Sequence, residues 1–358
     1  MRHGRSVRGP KKRVIIPYRP IPGSLPKSPM TTRWQTEMAE AVRDPRELLA
    51  LLQLDPTWLE PARKSAAAFP LRVPRPFLAR IAKGDPADPL LRQVLPLGEE
   101  LKTVPGYSLD PVGDMPSLAA RGLLHKYQGR VLLITTGACG VHCRYCFRRH
   151  FPYSEETARA DEWREALDYL KNDVSINEVI LSGGDPLSLS DDRLGELVRS
   201  LEAIPHIKRL RIHTRQPVVL PSRVDEALGR WLKACRLQKV VVLHTNHARE
   251  IDDSVREACA RLRETGATLL NQTVLLRGVN DSAKVLSDLS EALFAAGVLP
   301  YYLNLLDPVA GAAHFDVPEG EALALMSELR GRLPGYLVPR LVREVPGAPS
   351  KMPVMPAS

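Results

Sequence analysis

Five cysteines in 358 residues are too few to staple a disulfide scaffold. No stretch approaches the roughly 18 to 20 uninterrupted apolar residues of a membrane-spanning helix, and the N-terminus lacks the apolar core of a secretory signal. These absences exclude a disulfide-rich secreted domain and a helical membrane protein. They make the cytoplasm the expected location. Acidic residues are absent before Glu37, whereas nine Lys or Arg lie between Arg2 and Arg33. Without those nine, 41 basic residues face 41 acidic ones, so the whole formal charge of +9 resides in this segment. Its six prolines and missing amphipathic period make residues 1–33 read as a disordered basic arm, or as an extension ahead of a start at Met30. No folded basic surface accompanies it, and no nucleic-acid partner is expected.

What is present is ordinary for a globular protein: 44% hydrophobic and 25% charged residues, in a chain long enough for a substantial core. Trp34 to Leu54 reads as helix, broken at Asp44-Pro45. Residues 34–124 then continue in short helical pieces, among them Pro76 to Lys83 and Asp88 to Leu95, and form an expected helical N-terminal lobe. From residue 130 the pattern turns regular. Strand-like runs at Val131–Thr135, Glu178–Ser182, Arg209–His213, Val240–His244, Thr268–Val274 and Pro300–Leu305 alternate with helical segments such as Asp191–Ile204. Six such units predict a parallel sheet, either doubly wound or an incomplete barrel, with chemistry beyond the C-terminal strand ends.

The strongest local signal is Cys139-Gly-Val-His-Cys143-Arg-Tyr-Cys146. It spaces three thiols as C-x3-C-x2-C on a loop leaving the first strand. Three thiolates hold three irons of a cubane cluster and leave the fourth iron open to a small molecule. A closed zinc site would need a fourth ligand, and His142 is awkwardly adjacent to Cys143. Cys235 and Cys259 lie in helical patterns and read as buried packing residues.

With Tyr145 before its last cysteine, the cluster resembles the signature of the radical S-adenosylmethionine (SAM) superfamily. The resemblance implies a 4Fe-4S cluster, SAM on the open iron, an external one-electron donor of the flavodoxin or ferredoxin kind, and a partial (β/α)6 TIM-like barrel over residues 125–335. Ser182-Gly183-Gly184-Asp185 resembles the superfamily's segment that binds the methionyl amino group. His244 and Gln272, near strand ends, are further candidates for contact with SAM, as are His213 and His247.

The flanking runs Leu124-His-Lys-Tyr-Gln-Gly-Arg130 and Cys146-Phe-Arg-Arg-His-Phe-Pro-Tyr153 resemble the lysine 2,3-aminomutases, and the likeness spans about residues 36–355. It implies a second cofactor, pyridoxal 5'-phosphate (PLP), joined to Lys351 on a short C-terminal segment, residues 336–358. Lys126, Tyr127 and Arg130 would hold its phosphate, with Lys126 where arginine is usual. Arg148 would bind the carboxylate of the substrate L-lysine. Asp307 and Glu344 would bind its ε-ammonium, Glu344 replacing the family's second aspartate. Ala348, Pro349 and Ser350 in the loop before Lys351, and the end of the chain at Ser358, resemble the bacterial branch known as elongation factor P beta-lysylation proteins. That branch implies (R)-β-lysine as product and a functional link to elongation factor P and its lysyl-tRNA-synthetase-like ligase. An ordinary metabolic aminomutase is the nearer alternative. A non-catalytic iron-sulfur or zinc protein that binds nucleic acid through its basic arm is the more distant one.

Overall fold

All six expected runs form strands in the computed structural model of the chain, which describes residues 32–156 and 163–356. The basic arm up to residue 31 and the start at Met30 lie outside the described residues. Arg33, expected to close the arm, instead opens a helix, Arg33–Ala39. From Arg33 onward the chain forms one compact unit.

Ten strands make one sheet in chain order: β1 Leu118–Ala120, β2 Leu123–Tyr127, β3 Arg130–Thr136, β4 Glu178–Gly183, β5 Arg209–Thr214, β6 Gln238–Leu243, β7 Thr268–Val274, β8 Leu299–Asn304, β9 Arg340–Arg343 and β10 Met352–Pro353. Neighbours from β3 to β9 are parallel, and β1, β2 and β10 add antiparallel pairs at the two edges. Every parallel crossover carries a helix, from Trp163–Asn172 between β3 and β4 to Glu319–Arg332 between β8 and β9. Six strand-helix units therefore stand, and the architecture is the partial barrel. A seventh parallel strand, β9, follows the sixth helix.

The two faces of the strands differ. In β5, Leu210 and Ile212 pack outward with Leu194, Leu197, Val198, Leu201 and Ile204 of the helical stripe, whereas Arg211 and His213 point inward to the cavity. A side-chain period of two forces that division. The same parity turns Val241 and Leu243 outward and His244 inward, and Leu269 outward and Gln272 inward. Cys235 and Cys259 sit in the outer core at 5% and 1% exposure, as packing residues.

Two boundaries move. β1 and β2 belong to the sheet, so the helical lobe ends near residue 118 and not at 124. The C-terminal segment is no appended tail either, because β9 and β10 continue the sheet. The lobe itself keeps its break at Asp44-Pro45, where the Asp44 carboxylate accepts from Arg46 N and Pro45 starts the helix Pro45–Leu51. The helices expected at Pro76–Lys83 and Asp88–Leu95 shrink to single turns, Arg75–Leu78 and Pro89–Arg92, each with a proline in its first two positions and followed by other turn hydrogen bonds. The lobe's core includes Val141 of the cysteine loop and Val219-Leu220 after β5. It thus clamps the loop that carries the thiols.

Candidate active site

A cavity of about 540 Å³ opens at the C-terminal strand ends, and every site residue expected from the sequence except His247 lines it. The three thiols and the Ser182–Asp185 segment form one end. Lys126, Tyr127, Arg130, Asp307, Glu344 and Lys351 form another part of the wall, with Arg148, His244 and Gln272 also facing in. His213 lines it too. His247 does not, and instead accepts from Arg249 N to cap the turn Ala248–Glu250.

Cys139, Cys143 and Cys146 are all free thiols. Burial and the neighbouring thiols push Cys139 well above the ordinary thiol range and Cys146 up to about 11. Burial thus disfavours the thiolate form at these two positions, and a cationic group beside them would favour it. Among the described residues no three His, Cys, Asp or Glu side chains gather around a point that would hold a single metal ion. Three thiols on one loop suit a cubane cluster, three of whose irons they can hold.

Glycine at 183 and 184 has a steric cause. A Cβ on Gly184 would stand 2.5 Å from the Ala138 carbonyl oxygen, and one on Gly183, whose φ is +122°, 2.5 Å from that of Thr136. Gly184 N and Asp185 N donate to those same carbonyls at 2.7 and 2.8 Å, zipping the segment to the cysteine loop. The Asp185 carboxylate accepts from Leu187 N, Thr214 Oγ1, Arg215 N and Gln216 N at 2.7 to 3.1 Å. Its four lone-pair positions are thereby taken. The Asp185 carboxylate is therefore an anchor within the segment and not a free acceptor for the amino group of a ligand, even though burial pushes it up to about 6.

The other charged wall centres on a residue that sequence reasoning missed. Asp114 is 1% exposed, and its carboxylate takes Arg148 Nε at 2.7 Å and Lys126 Nζ at 2.6 Å. Both cations hold it below the ordinary carboxylate range despite burial. Arg148 Nη1 donates to Ser182 Oγ at 3.1 Å, and Nη2 has no hydrogen bond among the described residues. Asp114 sits in a proline-rich, strandless stretch, so only its place beside two cations marks it. Replacing Asp114 with asparagine should cost about 3 to 5 kcal/mol, because it strips a shared counter-charge from two buried cations. Chemical denaturation of the variant against the wild type measures this, and a loss below about 1 kcal/mol contradicts the pairing.

Lys351 is fixed by strand register. β9 and β10 pair with Arg343 opposite Met352, which sets Glu344 opposite Lys351 across a loop turned at Gly347, φ +76°. Lys351 Nζ lies 3.0 Å from Glu344 Oε2, and the Tyr127 hydroxyl donates to Glu344 Oε1. Lys351, Tyr127 and Lys126 keep Glu344 below its usual range against the opposing effect of burial. Asp307 accepts no side-chain hydrogen bond among the described residues, and burial pushes it up to about 6. Arg130 covers the Tyr127 ring at 4.6 Å.

Beneath the thiols lies a second set to which the sequence assigned no role. Gln93, Arg215, Asn246 and Glu250 interlock with Tyr145 and His244. His244 Nε2 meets the Tyr145 hydroxyl at 2.8 Å, and burial with Arg215 nearby lowers His244 to about 3, so its ring is neutral. Strand-end polar residues were the available signal, and Arg215 occupies such a place in His213-Thr-Arg215.

Cavity-lining residues also carry buried polar atoms without a protein partner among the described residues: His213 Nε2, Arg215 Nε and Asn304 Oδ1. Buried polar atoms are normally paired, so these fit a polar group bound in the cavity. An amine, three thiols and unpaired hydrogen-bonding atoms around one cavity suit a cluster, a polar cosubstrate and a carbonyl cofactor.

Residues 133–289 match the radical SAM superfamily, which sets the class of enzyme. The L-lysine 2,3-aminomutase of Escherichia coli strain K12 is 52% identical over 328 residues, covering 91% of this chain and 96% of that protein. Its namesake in Haemophilus influenzae is 46% identical, covering 91% and 98%. The Clostridium subterminale enzyme of the same name is 34% identical, covering 90% and 78%. The chain belongs to the L-lysine 2,3-aminomutase family of radical SAM isomerases. Among the described residues no helix is long and apolar enough to cross a membrane.

Proposed function

We propose that this protein is a radical SAM, PLP-dependent lysine 2,3-aminomutase that converts L-α-lysine to (R)-β-lysine for the modification of elongation factor P. One observation carries the reading: a single cavity holds three loop thiols, an amine at Lys351, a guanidinium at Arg148 and two carboxylates at Asp307 and Glu344. That is the charge pattern complementary to lysine beside the donor sets of two cofactors. Cys139, Cys143 and Cys146 would hold the cluster, Lys351 would hold PLP, and Lys126, Tyr127 and Arg130 would meet its phosphate. When bound, these groups supply an electron that splits SAM into a hydrogen-abstracting radical, and a conjugated ring that spreads unpaired spin.

The chain's own task is orientation. Arg148, braced by Asp114, presents Nη2 to the substrate carboxylate. Asp307 and Glu344 hold the ε-ammonium at the far end, so the α- and β-carbons stay in register with the radical source. Glu344 is already paired with Lys351 and becomes available to substrate only when that amine is engaged elsewhere. The branch assignment rests on the Glu344 replacement and the Ala348-Pro349-Ser350 loop.

Anaerobic turnover of lysine with SAM, PLP and a one-electron reductant, read by chiral chromatography with and without elongation factor P, tests the reading. (R)-β-lysine is the expected product, and its absence from fully loaded enzyme rejects the proposal. Substrate affinity should also follow Asp307. Its carboxyl ionises near pH 6, above the usual range because burial disfavours the charge, so the ammonium-binding form is lost as pH falls through 6. Lysine affinity should fall from about pH 7.5 to about pH 5, and Asp307→Asn should weaken binding by about tenfold and flatten that dependence. An unaltered pH profile in the variant rejects the assignment.

A further inference from the structure

Arg215 follows β5 and is buried at 6% exposure on the cavity wall. Its Nη1 donates to Cys143 Sγ at 2.8 Å and to the Tyr145 hydroxyl at 2.7 Å. Its Nη2 donates to Gln93 Oε1 at 2.7 Å and to Glu250 Oε2 at 2.9 Å. The rings of Phe77 and Tyr145 flank the guanidinium at 5.4 and 5.7 Å. Among the described residues Cys143 is the one loop thiol that receives a side-chain hydrogen bond.

We propose that Arg215 is a positioning residue that sets the reduction potential of the cluster by fixing a positive charge against the Cys143 sulfur, with Glu250 moderating that charge from behind. The inference rests on the cluster reading above and goes beyond it. Reduction adds one negative charge to the cluster, and hydrogen bonds and net charge at its sulfurs are recognised levers on potential. A cation held at a ligand sulfur in a low-dielectric interior favours the reduced form. Arginine supplies that cation permanently, because it does not lose its proton in proteins.

Glu250 is built into the arrangement as a counterweight. It meets Nη2, the guanidinium nitrogen turned away from the sulfur, so the positive charge is nearer the cluster than the negative one. Its carboxylate is otherwise held by Asn246 N, His247 N and Gln93 Nε2. Gln93 and Phe77 come from the N-terminal lobe, which gives that lobe a part in the chemistry. A purely structural ion pair here would be poorly repaid, since buried pairs often stabilise no better than apolar packing.

The test is a redox titration of anaerobically reconstituted holoenzyme, followed by electron paramagnetic resonance, for wild type, Arg215→Gln and Glu250→Gln, with iron and sulfide content measured. At the wild-type midpoint, Arg215→Gln should lower the reduced-to-oxidised ratio by about tenfold, a shift of about 59 mV to more negative potential. Glu250→Gln should shift the midpoint the other way, because it leaves the guanidinium uncompensated. Unchanged midpoints, or shifts of the same sign, overturn the proposal. Where Arg215→Gln fails to retain iron, Glu250→Gln decides alone: a positive shift supports the proposal, and no shift or a negative one overturns it. A wild-type chain that takes up no cluster overturns the cluster reading as well, whereas a loaded wild type with unresponsive variants overturns this inference only.

Discussion

Replacing Lys351 with alanine should abolish covalent attachment of PLP and slow lysine turnover by roughly 10³-fold or more, the scale on which removal of one member of a catalytic unit is felt. The reason is positional as well as chemical. Lys351 is held by the β9–β10 register and by Glu344 at 3.0 Å, so no neighbouring lysine can replace it on that wall. Lys126 also lines the cavity, but its Nζ is committed to Asp114 at 2.6 Å and the Val112 carbonyl at 2.7 Å. Borohydride reduction followed by peptide mapping should place the pyridoxyl group on Lys351 in the wild type and nowhere in the variant. Retained activity, or a label on another lysine, would sink the assignment.

Alanine at Cys139, Cys143 or Cys146 should remove the cluster and bring SAM cleavage to the background level. A cubane held by three thiolates has no spare protein ligand, so each loss leaves two. Cys235→Ala and Cys259→Ala serve as internal controls. Both thiols sit in the outer core with Leu232 and Leu262, outside the cavity lining, and their loss should cost about 1 kcal/mol of stability while iron content and deoxyadenosine release persist. Iron and sulfide assays with a deoxyadenosine measurement on all five variants decide the matter. A loop-cysteine variant that still binds a cluster and cleaves SAM would falsify the ligand set.

Much of this site was legible before any fold was in hand. The cysteine spacing lies within eight residues, and the strand-like runs of β5, β6 and β7 are written in residues such as Leu210, Ile212 and Val241. Asp185 was legible only in part. Its place after β4 is visible in the sequence, but the four donors that occupy it come partly from Thr214, Arg215 and Gln216, some thirty residues away. Asp114 and Glu250 were not legible at all. A buried carboxylate looks like any other until its counter-charges are known, and those counter-charges, Arg148, Lys126 and Arg215, lie on other elements.

The sequence by itself determined the six strand-helix units, the buried stripes and the three-thiol loop, because each depends on periodicity or spacing within a short stretch of chain. The tertiary structure alone decided that β9 and β10 extend the sheet and set Lys351 opposite Glu344, that Asp114 binds two cations, and that Arg215 reaches the Cys143 sulfur. These are pairings between distant segments. They arise when a curved parallel sheet brings its inward-facing residues around one cavity, and local pattern carries no record of which partners will meet there.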